Sequence, residues 1–550
     1  LTVTSKGGEF NIYDQNIASA LQLKGTTTLN GDLSIATAWK YKINIEALTG
    51  SGNFTATAGG SSGNDTATIE VDSLQGYTGA ISMTKGAAAT KIKMLTGGAV
   101  SLKGITLAGG AEGSITTTGD AGLGTVSLSG GSTLILDTVG ITAEGSQKNH
   151  SYTYTLNSLT VDGNAVIKST QDTGGWQSNV VISNLSNASG QTSGVLKIES
   201  NNKTGRRSVV NLNGGSFSGQ IELVGSADGS KRKVAMNLNT KTVAQNAEII
   251  LSGRGTNTNG NEVALAIGAD EVTVKGISSS IANGSTAKLN IVSGAQQYQA
   301  TSSDPGGSSF ASDGTDRTLH INTAGSSYTT AAVLGANINL KKSGNGTQTF
   351  TGSMDNFTGN INVTGGELVI ANDVELAELS VAGGTMTVGT YTGGELMTEG
   401  SLTVTSKATF GAGATVNADL VLSSGATVKM AEALTMGSTV TLGEGMTLDG
   451  DLLTSVTGLA AGEKVNLFTG VEGLTLGSAS YDTNSILELG TEQLGTYFAN
   501  VTNTDIYLGY DGQNVFAGVK SPVTPAVPEP TTATLSLLAL AALASRRRRK

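Results

Sequence analysis

The 550-residue chain carries 77 glycines, 43 acidic against 33 basic residues for a formal net charge of −10, two histidines and no cysteine. Disulfides, thiolate metal sites and a cysteine nucleophile are therefore excluded, and the acidic balance argues against a nucleic-acid partner, whose phosphates draw on dense Lys and Arg. With 14% charged and 4% aromatic residues, the composition predicts many short strands and glycine turns around an aliphatic core.

The chain opens on Leu1 with no charged-then-apolar leader, the look of a mature form or a fragment. Along the body one motif recurs: "LQGYTGAISM" (74 to 83), "GGSFSGQIEL" (214 to 223) and "MDNFTGNINV" (354 to 363). Tyr77, Phe217 and Phe357 stand 140 residues apart in both steps, which predicts related blocks of structure. Two polar segments interrupt the apolar pattern and read as exposed loops: 169 to 179 with Trp176, and 296 to 317, which holds the one proline outside the tail. The basic runs "TGRR" (204 to 207) and "SKRK" (230 to 233) read as solvated turn tips.

From 404 to 452 every sixth residue is apolar, nine times running: Val404, Phe410, Val416, Leu422, Val428, Leu434, Val440, Met446 and Leu452. Neither the 3.6 period of a helix nor the alternation of a single strand gives this spacing, whereas short strands wound so that side chains stack do. Burying one such side chain contributes ~1.5–3 kcal/mol, while ordering six residues costs ~6–12 kcal/mol. Each turn of the winding is thus stable only between neighbours, and the two ends need caps over their open sheet edges. The spacing predicts an elongated parallel β-solenoid. Residues 456 to 520 carry more aromatics, and "IYLGYDGQNVF" reads as two strands joined at Asp511-Gly512, a C-terminal cap. That segment is too short for an outer-membrane barrel, which needs at least eight strands of ~10 residues.

Four of the five prolines fall between Pro522 and Pro530, a linker. Thr531 to Ala544 is uncharged and rich in Ala and Leu; as a helix it spans roughly 21 Å, short of the roughly 30 Å hydrocarbon core. Arg546, Arg547, Arg548, Arg549 and Lys550 follow as a cytoplasmic stop. Pro528, Glu529 and Pro530, the apolar helix and the basic cluster, in that order, resemble the PEP-CTERM sorting signal. The resemblance implies export from a bacterium, transient anchoring in the inner membrane, cleavage near the triplet by an exosortase-type membrane protease, and delivery to the envelope, outer surface or extracellular matrix. Residues 340 to 368, with Gly344, Gly346, Phe357, Thr358, Gly359 and Gly365-Gly366 at turns and a stacked aromatic, resemble the autotransporter-associated β-strand repeat. That likeness implies a right-handed β-helix of the passenger kind, with coils of ~20–25 residues and a rod on the order of 100 Å long.

Little in the chain suggests chemistry. His150 and His320 lie far apart without metal-ligand spacing, and "GSADGSK" (225 to 231) lacks the order of a phosphate-binding loop. No cofactor or metal is expected. Trp39, Trp176 and Tyr391 are candidate platforms for sugar rings. The expected organisation is all-β: a solenoid over 1–455, a cap over 456–520, a linker with the sorting triplet over 521–530, an apolar helix over 531–545 and a basic stop over 546–550. The expected function is that of a non-enzymatic surface or matrix protein, structural or adhesive through its outer face, with glycans or neighbouring surface proteins as ligands. The enzymatic alternative is a β-helix polysaccharide lyase or glycoside hydrolase, with Asp313, Asp316 and Arg317 beside His320 as its carboxylates and cation.

Overall fold

The computed structural model describes residues 2–3, 8–12, 21–38, 42–59, 66–85, 89–96, 100–117, 119–138, 152–171, 177–200, 206–225, 232–254, 261–294, 310–392, 395–522 and 540–541. The structure is 62% strand and 3% helix, so the protein is nearly all β. The local reason is alternation. In the strand Gly194–Ser200, Leu196 and Ile198 point into the core while Lys197 and Glu199 are partly exposed, the period-2 pattern of a strand with one buried face.

Up to Ile267 the strands are shared between two sheets, mostly in alternation, and pair in parallel with strands two or three places on. Apolar residues stack on apolar residues along each ladder. Ile43, Ile69 and Ile92 are consecutive Cα partners in one sheet, and Ile81, Ile105, Val126 and Leu159 in the other. From Glu271 onward two further sheets continue the same scheme. The in-register step varies from 18 residues, Val404 to Leu422, to 47, Val272 to Leu319, as connecting loops lengthen.

All nine of the sixfold positions between Val404 and Leu452 are buried, none more than 4% exposed. Their partners are nevertheless not six residues away: Val416 faces Met436, Leu422 faces Leu442 and Val428 faces Leu448. The sixfold spacing counts inward positions around one pass of the chain, and stacking occurs a whole pass later, 20 residues on.

The three motif aromatics share a local setting, although the strands that follow them lie in three different sheets. Tyr77, Phe217 and Phe357 are buried, and the glycine two places after each lies against the backbone of the preceding pass. A Cβ on Gly79 would sit 2.1 Å from the Gly52 carbonyl oxygen, on Gly219 2.1 Å from that of Gly194, and on Gly359 1.7 Å from that of Ile338. Only a residue without a side chain permits this approach.

One sheet ends at the strand Gly276–Ile281, and a buried side chain closes its edge. Gln348 is 0% exposed; its Oε1 accepts from the Ile277 N–H at 3.0 Å and its Nε2 donates to the Ile277 carbonyl at 2.9 Å. The amide takes the place of a neighbouring peptide group and joins the first pair of sheets to the second. Gln348→Leu, similar in volume but unable to bond, should cost about 2 kcal/mol by leaving both Ile277 groups unpaired. Hydrogen exchange of the Ile277 amide is the direct readout, and protection equal to the parent would contradict this role.

The basic runs correct the sequence reading. Arg207 is 2% and Lys233 8% exposed, on neighbouring strands and not at turn tips. Arg207, Lys233 and Glu262 are consecutive register partners on the outward side of their sheet. There Val209, Ala235, Ala264, Ala266 and Val292 form a second apolar cluster closed by Phe310. The Arg207 guanidinium lies 4.7 Å from the centre of the Phe310 ring. Burial pushes the Glu262 carboxyl up, opposed by hydrogen bonds from Asn290 and the Phe310 N–H and by the charges of Lys233 and Arg207. Phe310 thus tethers the end of the polar segment to the body, while residues 311 and 313–316 are exposed as expected; residues 295–309 lie outside the described residues.

At the C-terminal side, the strand Leu434–Met436 pairs in parallel with Lys464–Thr469, and Thr439–Leu442 with Gly473–Leu476. Beyond these, pairing turns antiparallel: Lys464–Thr469 with Asn514–Val519, which pairs with Ile506–Tyr510, which pairs with Leu487–Gln493. The hairpin at Asp511-Gly512 is present, with Gly512 at φ 89° and the Asp511 Oδ1 accepting from the Asn514 N–H at 2.7 Å. Phe468, Tyr497, Phe498 and Tyr510 fill the core here. A short helix, Asp451–Thr457, which the sequence reading did not anticipate, leads into this region and buries Leu452 and Val456.

Candidate functional site

Outward positions on the third sheet come into line because the register is kept from strand to strand. Asn362, Ser380 and Thr409 are successive partners on the strands Ile361–Val363, Val374–Val381 and Ser401–Phe410, and Glu378 pairs with Lys407 beside them. With Asn360 they line a groove of about 290 Å³. The pairing slips between Leu376 and Glu378, where one extra residue bulges from Ser401–Phe410, and such a bulge re-aims neighbouring side chains. The Asn362 Oδ1 is closed off from solvent and has no hydrogen-bond partner. Amides, hydroxyls, one carboxylate and one ammonium on an open strand face offer alternating donors and acceptors. None of this is legible in the sequence, because Asn362 and Thr409 are 47 residues apart and meet only through two steps of register.

The residues proposed for glycan cleavage are engaged elsewhere. Asp313 holds Arg317 through two contacts, Oδ1 to Nη1 at 2.7 Å and Oδ2 to Nη2 at 2.9 Å, and the arginine keeps its carboxyl below the ordinary value. Nη1 also donates to the Ser293 Oγ at 3.0 Å. Asp316 accepts from the Asn337 Nδ2 at 2.7 Å. The two carboxylates thus anchor a loop to the strands beneath it, and the cation is already neutralised.

His320 is half-buried on the strand Arg317–Asn322. Its Nε2 lies 2.7 Å from the Ser343 Oγ, and its Nδ1 3.5 Å from both the Glu271 Oε1 and the Thr273 Oγ1. On the inward side of the same sheet Lys342 is fully buried, its Nζ donating to the carbonyls of Ser343 at 2.8 Å, Gly365 at 3.1 Å and Gly344 at 3.3 Å. Burial depresses the ammonium to about 8, against the opposing pull of Glu367.

His150, Trp39 and Trp176 lie outside the described residues, as does the side chain of Tyr391, whose backbone is in the strand Thr385–Thr392. So do Pro528, Glu529, Pro530 and the run Arg546 to Lys550. No described helix is long and apolar enough to cross a membrane; of the apolar tail segment only Leu540 and Ala541 are described, both helical. Among the described residues no cluster of acidic residues and histidine could hold a metal ion.

For the tail the decisive finding is a family match: the model of the PEP-CTERM protein-sorting motif matches residues 526–550. The chain carries a PEP-CTERM sorting motif. A PEP-CTERM motif indicates export and transient membrane anchoring in a bacterium, and implies processing by an exosortase-type membrane enzyme. No curated protein and no solved structure matches the chain.

Proposed function

We propose that the protein is an exported surface or matrix β-solenoid that is structural or adhesive, held at the inner membrane by its tail until an exosortase-type protease cuts near Pro528, Glu529 and Pro530. The observation that carries this reading is the PEP-CTERM motif on a body of parallel strands stacked in register. Such a body grows along one axis and presents outer side chains in long files, a geometry suited to reach and repeated contact. The antiparallel region after residue 456 serves as the cap, since it turns the last parallel edges into hairpins. The likeness of residues 340 to 368 to the autotransporter-associated repeat points to the same passenger-like form.

On this reading the groove at Asn360, Asn362, Glu378 and Lys407 is the contact surface, and its mix of donors and acceptors suits the hydroxyls of a glycan. Mass spectrometry of the mature protein from envelope and medium fractions is the test. A new C-terminus close to the triplet is expected; material recovered outside the cell with Lys550 intact would refute processing. Glycan-array binding lost in Asn362→Ala supports the groove, and unchanged binding removes it.

A further inference from the structure

Three adjacent strands on the outward face of the third sheet bring together a hydroxyl, an imidazole and a carboxylate. Glu271 is on Glu271–Val274, His320 on Arg317–Asn322 and Ser343 on Ile338–Ser343, paired in that order. We infer that Ser343, His320 and Glu271 form a nucleophilic centre that hydrolyses exposed carboxylic esters. This goes beyond the adhesive reading and does not depend on it.

The roles follow from the geometry. The Glu271 Oε1 is shut off from solvent and has no full hydrogen bond, and it faces the His320 Nδ1 at 3.5 Å. A negative charge there draws the imidazole proton to Nδ1, with Thr273 Oγ1 as a second partner at 3.5 Å, and leaves the Nε2 lone pair toward Ser343. At 2.7 Å the Ser343 O–H can donate to that lone pair, which is the contact a serine nucleophile needs. Glu271 is itself held by Lys241 at 3.1 Å and kept ionised, its carboxyl lowered first by that hydrogen bond. His320 is held below its ordinary value, first by burial and then by the charge of Lys341, so the ring is a neutral base at pH 7. Lys341 is the Cα partner of His320 and shares its outward face, which makes its ammonium the cation available to a developing oxyanion.

The chemistry balances with water as the only co-reactant. Ser343 Oγ attacks the ester carbonyl carbon while its proton passes to His320 Nε2. The carbon–alkoxide bond then breaks, and the alcohol leaves with that proton. Water attacks the acyl-serine, giving a proton to Nε2; the Oγ–acyl bond breaks, Oγ regains the proton, and a carboxylic acid is released. Ser343 is partly exposed on the outward face, so the substrate class is an ester displayed on an accessible chain. The groove strand Ile361–Val363 pairs directly with the strand that carries Ser343, so an acylated polymer lying along the face would reach both.

The test is labelling of the intact protein with a fluorophosphonate probe, with adducts mapped by peptide mass spectrometry, alongside hydrolysis of p-nitrophenyl acetate. Expected is an adduct at Ser343 forming at least ~100-fold faster than at the outward Ser380 of the same molecule, an internal comparison that requires no variant to fold. His320→Gln should slow it by a similar factor, and Ser343→Ala should abolish hydrolysis with the circular dichroism unchanged. The labelling rate should rise with pH through one titration below 6.5, set by His320 among Glu271, Lys241 and Lys341, and Glu271→Gln, a change at a positioning residue, should move that titration lower still. Ser343 labelled no faster than Ser380, or equally fast in His320→Gln, would overturn the centre and show a structural serine–histidine contact.

Discussion

Gly359→Ala should destabilise the passes around Ile338–Ser343 by about 3 kcal/mol, the upper range for forced overpacking. The added Cβ would fall 1.7 Å from the Ile338 carbonyl oxygen and within 3.1 Å of the Asn339 nitrogen. Both are backbone atoms of the neighbouring pass, so no flexible side chain can yield. Gly413→Ala is the control: its φ of 71° disfavours a side chain, but nothing lies within 4 Å of the new carbon, and the cost should stay near the roughly 1–2 kcal/mol of a left-handed residue. Long stacks need not unfold in one step, so amide exchange in Ile338–Ser343 is a better measure than one global midpoint. Equal losses in the two variants would mean that the backbones are not in contact at Gly359.

Wild-type stability should rise by about 3 kcal/mol between pH 8 and 10.5, and this rise should vanish in Lys342→Met. The sign follows from the depressed ammonium. Lys342 loses its proton near pH 8 in the folded protein but at 10.5 when unfolded. Below pH 8 both states are charged and the full cost of burying the ammonium is borne. As pH climbs through 8 the folded state sheds the proton first, and the cost is progressively relieved until the unfolded chain follows. Tyr77 and Tyr154, raised by burial, act the other way above pH 10, where tyrosinate favours the unfolded chain. The parent-minus-variant difference cancels them. A parallel pH profile for the two proteins would show that Lys342 is not held as a buried ammonium.

The two expectations draw on different layers of information. Gly359 is visible in the sequence as part of an aromatic-Ser/Thr-Gly motif repeated at Tyr77, Phe217 and Phe357. The reason for the glycine, an adjoining carbonyl, is not. Lys342 carries no local sign of burial, for it follows Lys341 in a dipeptide that looks solvated. Alternation along Ile338–Ser343 turns one lysine outward and its neighbour into the core. Arg207 and Lys233 differ from the sequence reading for a related reason: they face outward yet are buried, and the Arg207 guanidinium lies against Phe310, far along the chain.

By itself the sequence determined what depends on near neighbours. Periodicity set the strands and the nine buried positions from Val404 to Leu452, Asp511-Gly512 set a hairpin, and the order of prolines, apolar stretch and arginines set the sorting tail. Tertiary structure alone decided which residues meet across passes. The Ser343–His320–Glu271 file, the groove at Asn362 and the Gln348 join all depend on loop lengths that shift the register step between 18 and 47 residues. A loop of any length closes at a cost that grows only slowly with its size, so composition does not fix that step, and the partners across it become known only when the strands are laid side by side.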